Sequence, residues 1–447
     1  MTASATRTRP AGNATVSTVP PAGGPPASRG SSRGARGPAS ARLNGRPGQL
    51  GSFRLQQLVL LETAVALLLA AWVIEPLLLA PAVVVAALLV LLAVVRRHRR
   101  SLPEWLGTVL SLRARSRRAG SLELPAGTEP GIAPVVECDP ALRTYSFSDR
   151  DRRPVGMIGD GTFVTAVLQV ESDASALRPD RSVQPLPLTL VQDVLEVDGI
   201  RLESAQIVQH TQPAPAPHLP QQSVAARNYA PLQAQTGSPA VRITWIALKL
   251  DPELCPEAVQ ARGGGITGAQ KCVVRAADQL SSRLTGAGFR ATVLTEQELT
   301  SAIATSVCAS APAMAQAGRS GTPVRRTGET SRTWRCDDRW HTTYWVGRWP
   351  QFGGSGGRAG ASMPQLVALL TSIPALATTF SLTLGHGERQ GVSITGHIRI
   401  TGRSDEELVG ARHELERTAR GVRTSLVRLD REQLPGVLAT LPLGGTR

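Results

Sequence analysis

The sequence predicts a transmembrane α-helical hairpin followed by a cytoplasmic mixed α/β (α+β) domain. Three observations predict this fold class. Residues 55–95 form an apolar stretch that is interrupted at Glu75 and Pro76, and arginines are concentrated on both sides of that stretch. From residue 142 onward, short runs rich in β-branched residues alternate with amphipathic segments, which is typical of the strands and helices of a folded domain.

The apolar stretch 55–95 divides into two halves. Each is close to the ~20 residues that a helix needs to cross a bilayer. Glu75 and Pro76 indicate a membrane turn at the far surface, since a carboxylate is costly in lipid and proline disfavours helix in the preceding residue. A buried core helix would rarely be this long without charge, and a secretory signal would begin nearer the N-terminus. We therefore expect an uncleaved hairpin with two spans.

The arginine distribution predicts the orientation of this hairpin. Residues 1–54 hold eight Arg and no acidic residue, and residues 96–118 hold eight Arg and one Glu. Basic flanks stay on the cytoplasmic side, so we expect a plasma-membrane protein with both termini in the cytoplasm. The residues expected to set topology and contact lipid are Arg54, Arg96, Arg97, Arg99 and Arg100.

The remaining charge argues against nucleic acid as a partner. The chain has 447 residues and a net charge of +15, but residues 119–447 hold 33 basic and 31 acidic residues. The excess positive charge therefore lies beside the apolar stretch, where anionic lipid attracts it. Nucleic-acid binding would require a basic face on the folded domain, which this balance does not provide.

The segments around the hairpin have distinct compositions. Residues 1–54 are predicted to be a disordered basic tail, because Ala, Gly, Pro, Ser, Thr and Arg bury too little apolar area to fold. Residues 96–118 are predicted to be a basic juxtamembrane amphipathic helix, with Trp105 at the level of the lipid headgroups. The alternative is that this helix packs against the folded domain. Residues 119–141 are predicted to be a linker.

The folded domain divides into a first half at 142–310, a flexible insert at 311–331 and a second half at 332–447. In the first half we expect a β-hairpin around Asp160-Gly161, a buried strand 241–250, and then helix 266–284, strand 289–294 and helix 296–307. The segment that begins at Gly288 resembles the one that begins at Gly421, since each continues with a strand and a helix that contains Glu-Gln. We interpret this as an internal β-α-β-α duplication in one mixed sheet.

The candidate catalytic and binding motifs are weak. Gly263, Gly265 and Gly268 satisfy G-x-G-x-x-G but do not directly follow a strand, and Lys271 is too far from Gly268 for a phosphate-binding loop. Asp149 and Asp151 could share a divalent metal, but they lie in a charge run with neighbouring arginines, which indicates a solvated surface. Asp337 and Asp338, beside Trp340 and His341, are a second weak site. Glu62 lies inside the first span and is expected to reach toward Arg54. We therefore expect no catalytic, cofactor-binding or metal site, and the five widely spaced cysteines should be free thiols.

Taken in order, these features resemble the EccE family, a membrane component of the actinobacterial type VII (ESX) secretion system. The residues that carry the resemblance are the hairpin, Val155 to Gly161 followed by Phe163 to Val167, and Arg242 to Trp245 followed by Leu250 to Pro252, Ala261 to Gly264 and Gly268. The resemblance implies a glycosyltransferase-like cytoplasmic domain without catalysis. It also implies assembly with EccB, EccC and EccD in the membrane.

We therefore expect a structural, non-catalytic subunit of a type VII secretion complex. Its expected partners are the lipid bilayer and the other secretion components, with no nucleic acid, cofactor or small-molecule substrate. The candidate partner contacts are Trp340, Tyr344 and Trp345, although aromatic strands are more often core. The alternatives are a membrane-tethered nucleotide-sugar-dependent transferase and a generic membrane-anchored adaptor.

Overall fold

A computed structural model places most of the chain after residue 100 in one folded unit. The unit that contains every described residue spans Ser40–Arg447. The structure describes residues 42–43, 55–74, 79–94, 96–97, 100–121, 124–125, 127–149, 152–172, 185–212, 224, 227–228, 241–320, 325–350, 362–387 and 391–445.

Two apolar helices precede the folded domain. They are α1 (Leu55–Ile74) and α2 (Leu79–Val94), and they pack against each other. Small side chains on each helix are buried: Ala64 and Ala71 on α1, and Ala82 and Ala86 on α2. Larger apolar side chains are exposed, such as Val65, Leu69 and Trp72 at helical spacing on α1. The pair therefore has a small-residue contact face and a broad apolar outer face.

The structure contradicts the prediction of a transmembrane hairpin at residues 55–95. Across the part of the chain that is described, no helix combines the length and the apolarity needed to cross a membrane. α2 has 16 residues, which at 1.5 Å per residue span about 24 Å against a hydrocarbon core of about 30 Å. α1 begins with Gln56 and Gln57 and carries Glu62, which shorten its apolar part. The two-span plasma-membrane localisation, which rested on this hairpin, is contradicted with it.

The basic segment after α2 leads into a helix that is attached to the domain. Two short strands, β2 (Arg96–Arg97) and β3 (Arg100–Ser101), pair before α3 (Leu102–Gly120). Arg115 on α3 donates to both carboxylate oxygens of Glu329, at 2.8 and 2.9 Å, and to the backbone carbonyl of Arg431 at 2.7 Å. A bidentate contact of this kind orients the helix on the domain.

Helices and strands alternate through the rest of the chain. The helices are α4 (Ala133–Val136), α5 (Leu188–Asp193), α6 (Pro256–Gln260), α7 (Gly265–Gly286), α8 (Glu296–Ser306), α9 (Ala311–Ser320), α10 (Met363–Thr371), α11 (Asp405–Gly421) and α12 (Gln433–Leu438). The strands, apart from β2 and β3, are β1 (Arg42–Leu43), β4 (Arg143–Ser148), β5 (Pro154–Gly159), β6 (Val164–Ser172), β7 (Glu196–Val197), β8 (Ile200–Arg201), β9 (Ser204–Gln212), β10 (Val241–Leu250), β11 (Phe289–Val293), β12 (Thr327–Glu329), β13 (Trp334–Cys336), β14 (Arg339–Arg348), β15 (Ala377–His386), β16 (Val392–Gly402) and β17 (Ser425–Arg428).

One large sheet organises the domain. Within the described ranges it has 13 strands, and its main path runs β12-β13-β14-β16-β15-β9-β10-β6-β5-β4. β11 joins the edge of β6, β17 joins the edge of β14, and β1 pairs with β16. The halves match element by element: β4, β5, β6, β9 and β10 occupy the positions that β12, β13, β14, β15 and β16 occupy in reverse order.

Each half contains a β-α-β-β-α-β unit of the ferredoxin-like type. In the first half the chain order is β6, α5, β9, β10, α7 and β11, and the spatial order of its strands is β11-β6-β10-β9. The second half repeats this with β14, α10, β15, β16, α11 and β17, in the spatial order β17-β14-β16-β15. The two units join where β9 pairs with β15.

This topology corrects the predicted mixed sheet and the glycosyltransferase-like fold. Every strand pair of the described sheet is antiparallel except β1 with β16. The sequence suggests β-α-β units because β10 and β11, joined by α7, are parallel to each other. However, the antiparallel strand β6 lies between them, so the unit is a split one.

Helices cover both faces of the sheet. One face packs against α5, α7, α10 and α11, around buried residues such as Leu280, Leu370 and Leu415. The other face packs against α4, α8 and α12, around Ile303, Trp245 and Val437. The first cluster contains residues from both halves, so the two units share one hydrophobic core.

We predict that Gly156→Ala destabilises the protein by about 1–3 kcal/mol, because the new methyl group overpacks the contact between β5 and α8. The Gly156 amide donates to the carbonyl of Leu294 at 2.8 Å, and a Cβ at residue 156 would lie 2.5 Å from the carbonyl carbon of Thr295. The measurement is urea unfolding of wild type and variant.

The matched control is Gly410→Ala on α11, where a Cβ would contact nothing within 4 Å. This substitution should be neutral or should raise stability by about 0.5–1 kcal/mol, because alanine loses less conformational entropy in a helix. Equal stabilities for Gly156→Ala and wild type would contradict the close approach.

Candidate functional site

The residues predicted to set topology are only partly within the described structure. Glu75, Pro76, Arg54 and Arg99 lie outside the described residues. The remaining members of that set belong to short elements before the domain: Arg96 and Arg97 to β2, Arg100 to β3, and Trp105 to α3. Their roles in topology and lipid contact stay untested predictions.

The three candidate partner contacts all lie on β14. Tyr344 is 1% exposed, and its hydroxyl donates to the Glu416 carboxylate at 2.8 Å. Burial and this carboxylate raise the pKa of Tyr344 above its ordinary value. Trp340 and Trp345 are half-buried. The aromatic segment thus contributes mainly to the core, and its two partly exposed tryptophans are the side chains that a partner could reach.

The weak motifs of the sequence have structural roles here. Gly263, just before α7, and Gly265, its first residue, have positive φ angles, and Gly268 allows the close approach of α7 to the Val259 carbonyl. Asp337 forms a bidentate ion pair with Arg326, at 2.7 and 2.8 Å. Asp151 lies outside the described residues. Among the residues that are described, no three His, Cys, Asp or Glu side chains are grouped so that they could hold a metal ion.

The densest group of buried polar side chains lies on the sheet beneath the end of α8. Four residues stand directly opposite one another on four neighbouring strands: His210 on β9, Thr379 on β15, Arg399 on β16 and Thr343 on β14. All four are fully buried. We call these four residues the polar row. Side chains directly opposite each other are the closest contacts across a sheet, so the polar row crosses the junction between the two halves.

Arg399 is the only charged member of the polar row. Its Nη2 donates to the backbone carbonyl of Ser306 and lies 3.3 Å from both the Ser306 and Thr379 hydroxyls. Ser306 is the last residue of α8, where the helix dipole favours a cation. Within the described structure, Nε and Nη1 of Arg399 have no hydrogen-bond partner. Burial lowers the pKa of Arg399 to about 10, so the guanidinium remains charged at neutral pH.

The histidines near Arg399 are neutral. Burial, and secondarily the charge of Arg399, lower the pKa of His210 to about 3. The Gln212 amide lies 3.0 Å from Nε2 of His210, and Nδ1 lies 2.9 Å from the Thr379 hydroxyl, which fits a proton on Nδ1. His341 bonds through Nδ1 to the Thr401 hydroxyl at 3.0 Å, and the same two causes lower its pKa well below the usual range.

The thiol beside this group is also held in its neutral form. Cys308 follows α8 with a φ of 53°, and burial raises its pKa although Arg399 opposes that shift. A reactive cysteine instead needs a lowered pKa and solvent access. The polar row therefore fits a structural connection between the halves better than a nucleophilic or acid–base site.

Sequence reasoning missed the polar row. One signal was available: Arg399 and His397 interrupt an otherwise apolar and β-branched run on β16. A charged residue at an inward position of such a strand indicates a buried polar contact. Its partners come from β9, β15 and α8, which are distant in sequence, so the pattern alone could not assemble the group.

We predict that the protein loses stability in acid through its buried neutral histidines. Unfolding lets His210 bind a proton below about pH 6.5, whereas the folded pKa is about 3, so the unfolding free energy falls as the pH falls through this window. The loss approaches about 1.4 kcal/mol per pH unit for this residue. His210→Gln should remove that part of the slope between pH 6 and pH 4, measured by urea unfolding.

The control is Val409→Gln at an exposed position of α11, which leaves His210 in place and should retain the wild-type slope. Identical slopes for His210→Gln and wild type would contradict the buried neutral state of His210.

Comparisons with known proteins identify a family over part of the chain. No curated protein matches the sequence. The structure matches 15 solved chains, among them an alkyldihydroxyacetonephosphate synthase with 7% identity and a TM-score of 0.23, which covers 61% of this chain and 43% of that chain. A TM-score this low does not indicate a shared fold.

Residues 238–346, which include β10 through most of β14, match the family described as "EccE: Putative type VII ESX secretion system translocon, EccE". This match supports a role as a type VII secretion component. It confirms the predicted resemblance to the EccE family over these residues.

Proposed function

We propose that the protein is a non-catalytic structural component of a type VII secretion complex, and that it docks on other components of that complex. The family match over residues 238–346 supports the secretion role. The observation that carries the docking role is the exposed apolar surface of α1 and α2. EccB, EccC and EccD, which the resemblance implies, are the proposed partners.

The outer face of α1 is a continuous apolar stripe. Val65, Leu69 and Trp72 recur at helical spacing, and Trp72 is 69% exposed. Val84 and Leu88 form a similar exposed pair on α2. Contiguous apolar surfaces of this kind are typical of protein interaction sites, because leaving them in water costs about 25 cal/mol for each Å². A partner component that covers this stripe would remove that cost.

In this proposal α1 and α2 attach the folded domain to the complex. Arg115 on α3 bonds to Glu329 and to the Arg431 carbonyl, so α3, which follows the two apolar helices in the chain, is held on the folded domain. The polar row contains one neutral histidine, His210, and the buried guanidinium of Arg399. We infer that this group holds the two halves together and performs no chemistry.

We predict that Leu69→Gln combined with Trp72→Gln lowers co-purification of the other secretion components at least ~10-fold, since buried anchor residues carry most of an interface's binding energy. The measurement is a tagged pull-down of the full chain in mild detergent, quantified by mass spectrometry.

The matched control is Val409→Gln, which replaces an exposed apolar residue on α11 of the domain and should leave co-purification unchanged. Full recovery of the partners with the double variant would contradict docking through α1. A wild-type pull-down that contains no secretion component would contradict the secretion role itself.

A further inference from the structure

The two ends of the large sheet differ in how their edges are protected. At one end, the carboxylate of Glu137, the residue that follows α4, accepts hydrogen bonds from the backbone amides of Arg326 and Thr327, at 2.9 and 2.8 Å. These amides lie at the start of the edge strand β12, so the carboxylate occupies donors that another strand could use. Covering an edge with an acidic side chain prevents unwanted strand pairing.

At the other end, the backbone of β4 is open. The Gly156 amide donates to Leu294, on the side of β5 that faces away from β4. Because hydrogen-bonding directions alternate along a strand, the residues of β4 that bond to β5 are Arg143, Tyr145 and Phe147. Thr144, Ser146 and Ser148 therefore direct their amides and carbonyls outward. In the described part of the chain these backbone groups have no partner.

We propose that β4 pairs antiparallel with β4 of a second copy of this chain, which makes the two sheets continuous. The pairing is centred on Ser146, which faces Ser146 of the other copy. This register pairs every open residue of the strand, because Thr144 then faces Ser148 of the other copy. Three open residues on each copy form about six backbone hydrogen bonds in this arrangement.

The side chains in this register favour a second copy as the occupant. Arg143, which is exposed, lies opposite Asp149 of the other copy. Tyr145 lies opposite Phe147, and both are half-buried at the sheet edge. Opposite charges and aromatic pairs are the cross-strand combinations that stabilise a sheet. The strand is therefore complementary to itself, and this self-complementarity is the reason to choose a second copy over a different protein.

The first experiment is disulfide trapping of the full chain. In the proposed register, the two copies of residue 146 have Cα atoms about 5.5 Å apart, which a disulfide can bridge. Ser146→Cys should therefore form a covalent dimer under mild oxidation. Ser148→Cys is the matched control on the same strand. Its two copies lie about 13 Å apart and should not cross-link with each other. Wild type gives the background from the native cysteines.

A mixture of Thr144→Cys and Ser148→Cys chains should cross-link, since these residues face each other in the proposed register. Cross-linking of Ser148→Cys alone, or none with Ser146→Cys, would overturn the register. Cross-links from Ser146→Cys exclusively to a different protein in cells would assign the edge to another component and overturn the proposal.

The second experiment uses charge reversal and sedimentation. Arg143→Asp places two acids opposite each other at both ends of the paired strands and should weaken the dimer about 10-fold or more. Adding Asp149→Arg restores opposite charges and should restore the dimer. Monomeric wild type, or a double variant as weak as the single one, would overturn the pairing. The proposal is independent of the secretion role, because these measurements need no other component.

Discussion

The antiparallel pairing of β9 with β15 is the interaction on which the architecture depends. Eight residue pairs, from Thr378 opposite Thr211 to Gly385 opposite Ser204, join the two ferredoxin-like units along the middle of the sheet. In an isolated unit β9 or β15 would be an edge strand with unpaired backbone groups. In the joined sheet β9 and β15 pair with each other, so neither is an edge strand. The shared hydrophobic core beneath them means that neither half completes its own interior.

Burial lowers the pKa of the arginine and of the histidines at this junction, and the different ordinary pKa values of the two side chains decide which of them stays charged. Desolvation lowers the pKa of Arg399 from 12.5 to about 10, so it remains charged at neutral pH. The same cause lowers the pKa of His210 from 6.5 to about 3, so it is neutral. An unpaired buried charge is costly, and the carbonyl end of α8, with its partial negative charge, offsets part of that cost. Neutral histidines beside the guanidinium avoid adding a second charge.

Local elements could be predicted from the sequence, but their arrangement could not. The hairpin around Asp160-Gly161, the strand at 241–250 and the helix over 266–284 lie where the patterns indicate. Their hydrophobic periodicity is local, and strands and helices depend on it directly.

The sheet was predicted as mixed because sequence order shows that α7 connects β10 to β11, but not that β6 lies between them. The hairpin prediction failed because apolar length was counted across Gln56, Gln57 and Glu62. The polar row was not predicted because its members are up to 189 residues apart in sequence.

Departures from the internal repeat show where the two halves have acquired different tasks. The second half ends in a segment that crosses to the first, where the Gln206 side chain bonds to the Ala439 carbonyl and the Gly444 amide, at 2.9 and 2.8 Å. The first half reaches the second through the end of α8, where the Ser306 carbonyl accepts a hydrogen bond from Arg399, and its chain then continues into α9 and β12. The edges differ in the same way, with Glu137 bonded to the start of β12 and with β4 open. If the repeat served stability alone, we would expect both edges of the sheet to be protected in the same way. The asymmetry therefore supports the proposed pairing at the β4 end of the sheet, while the β12 end is occupied by contacts within the chain.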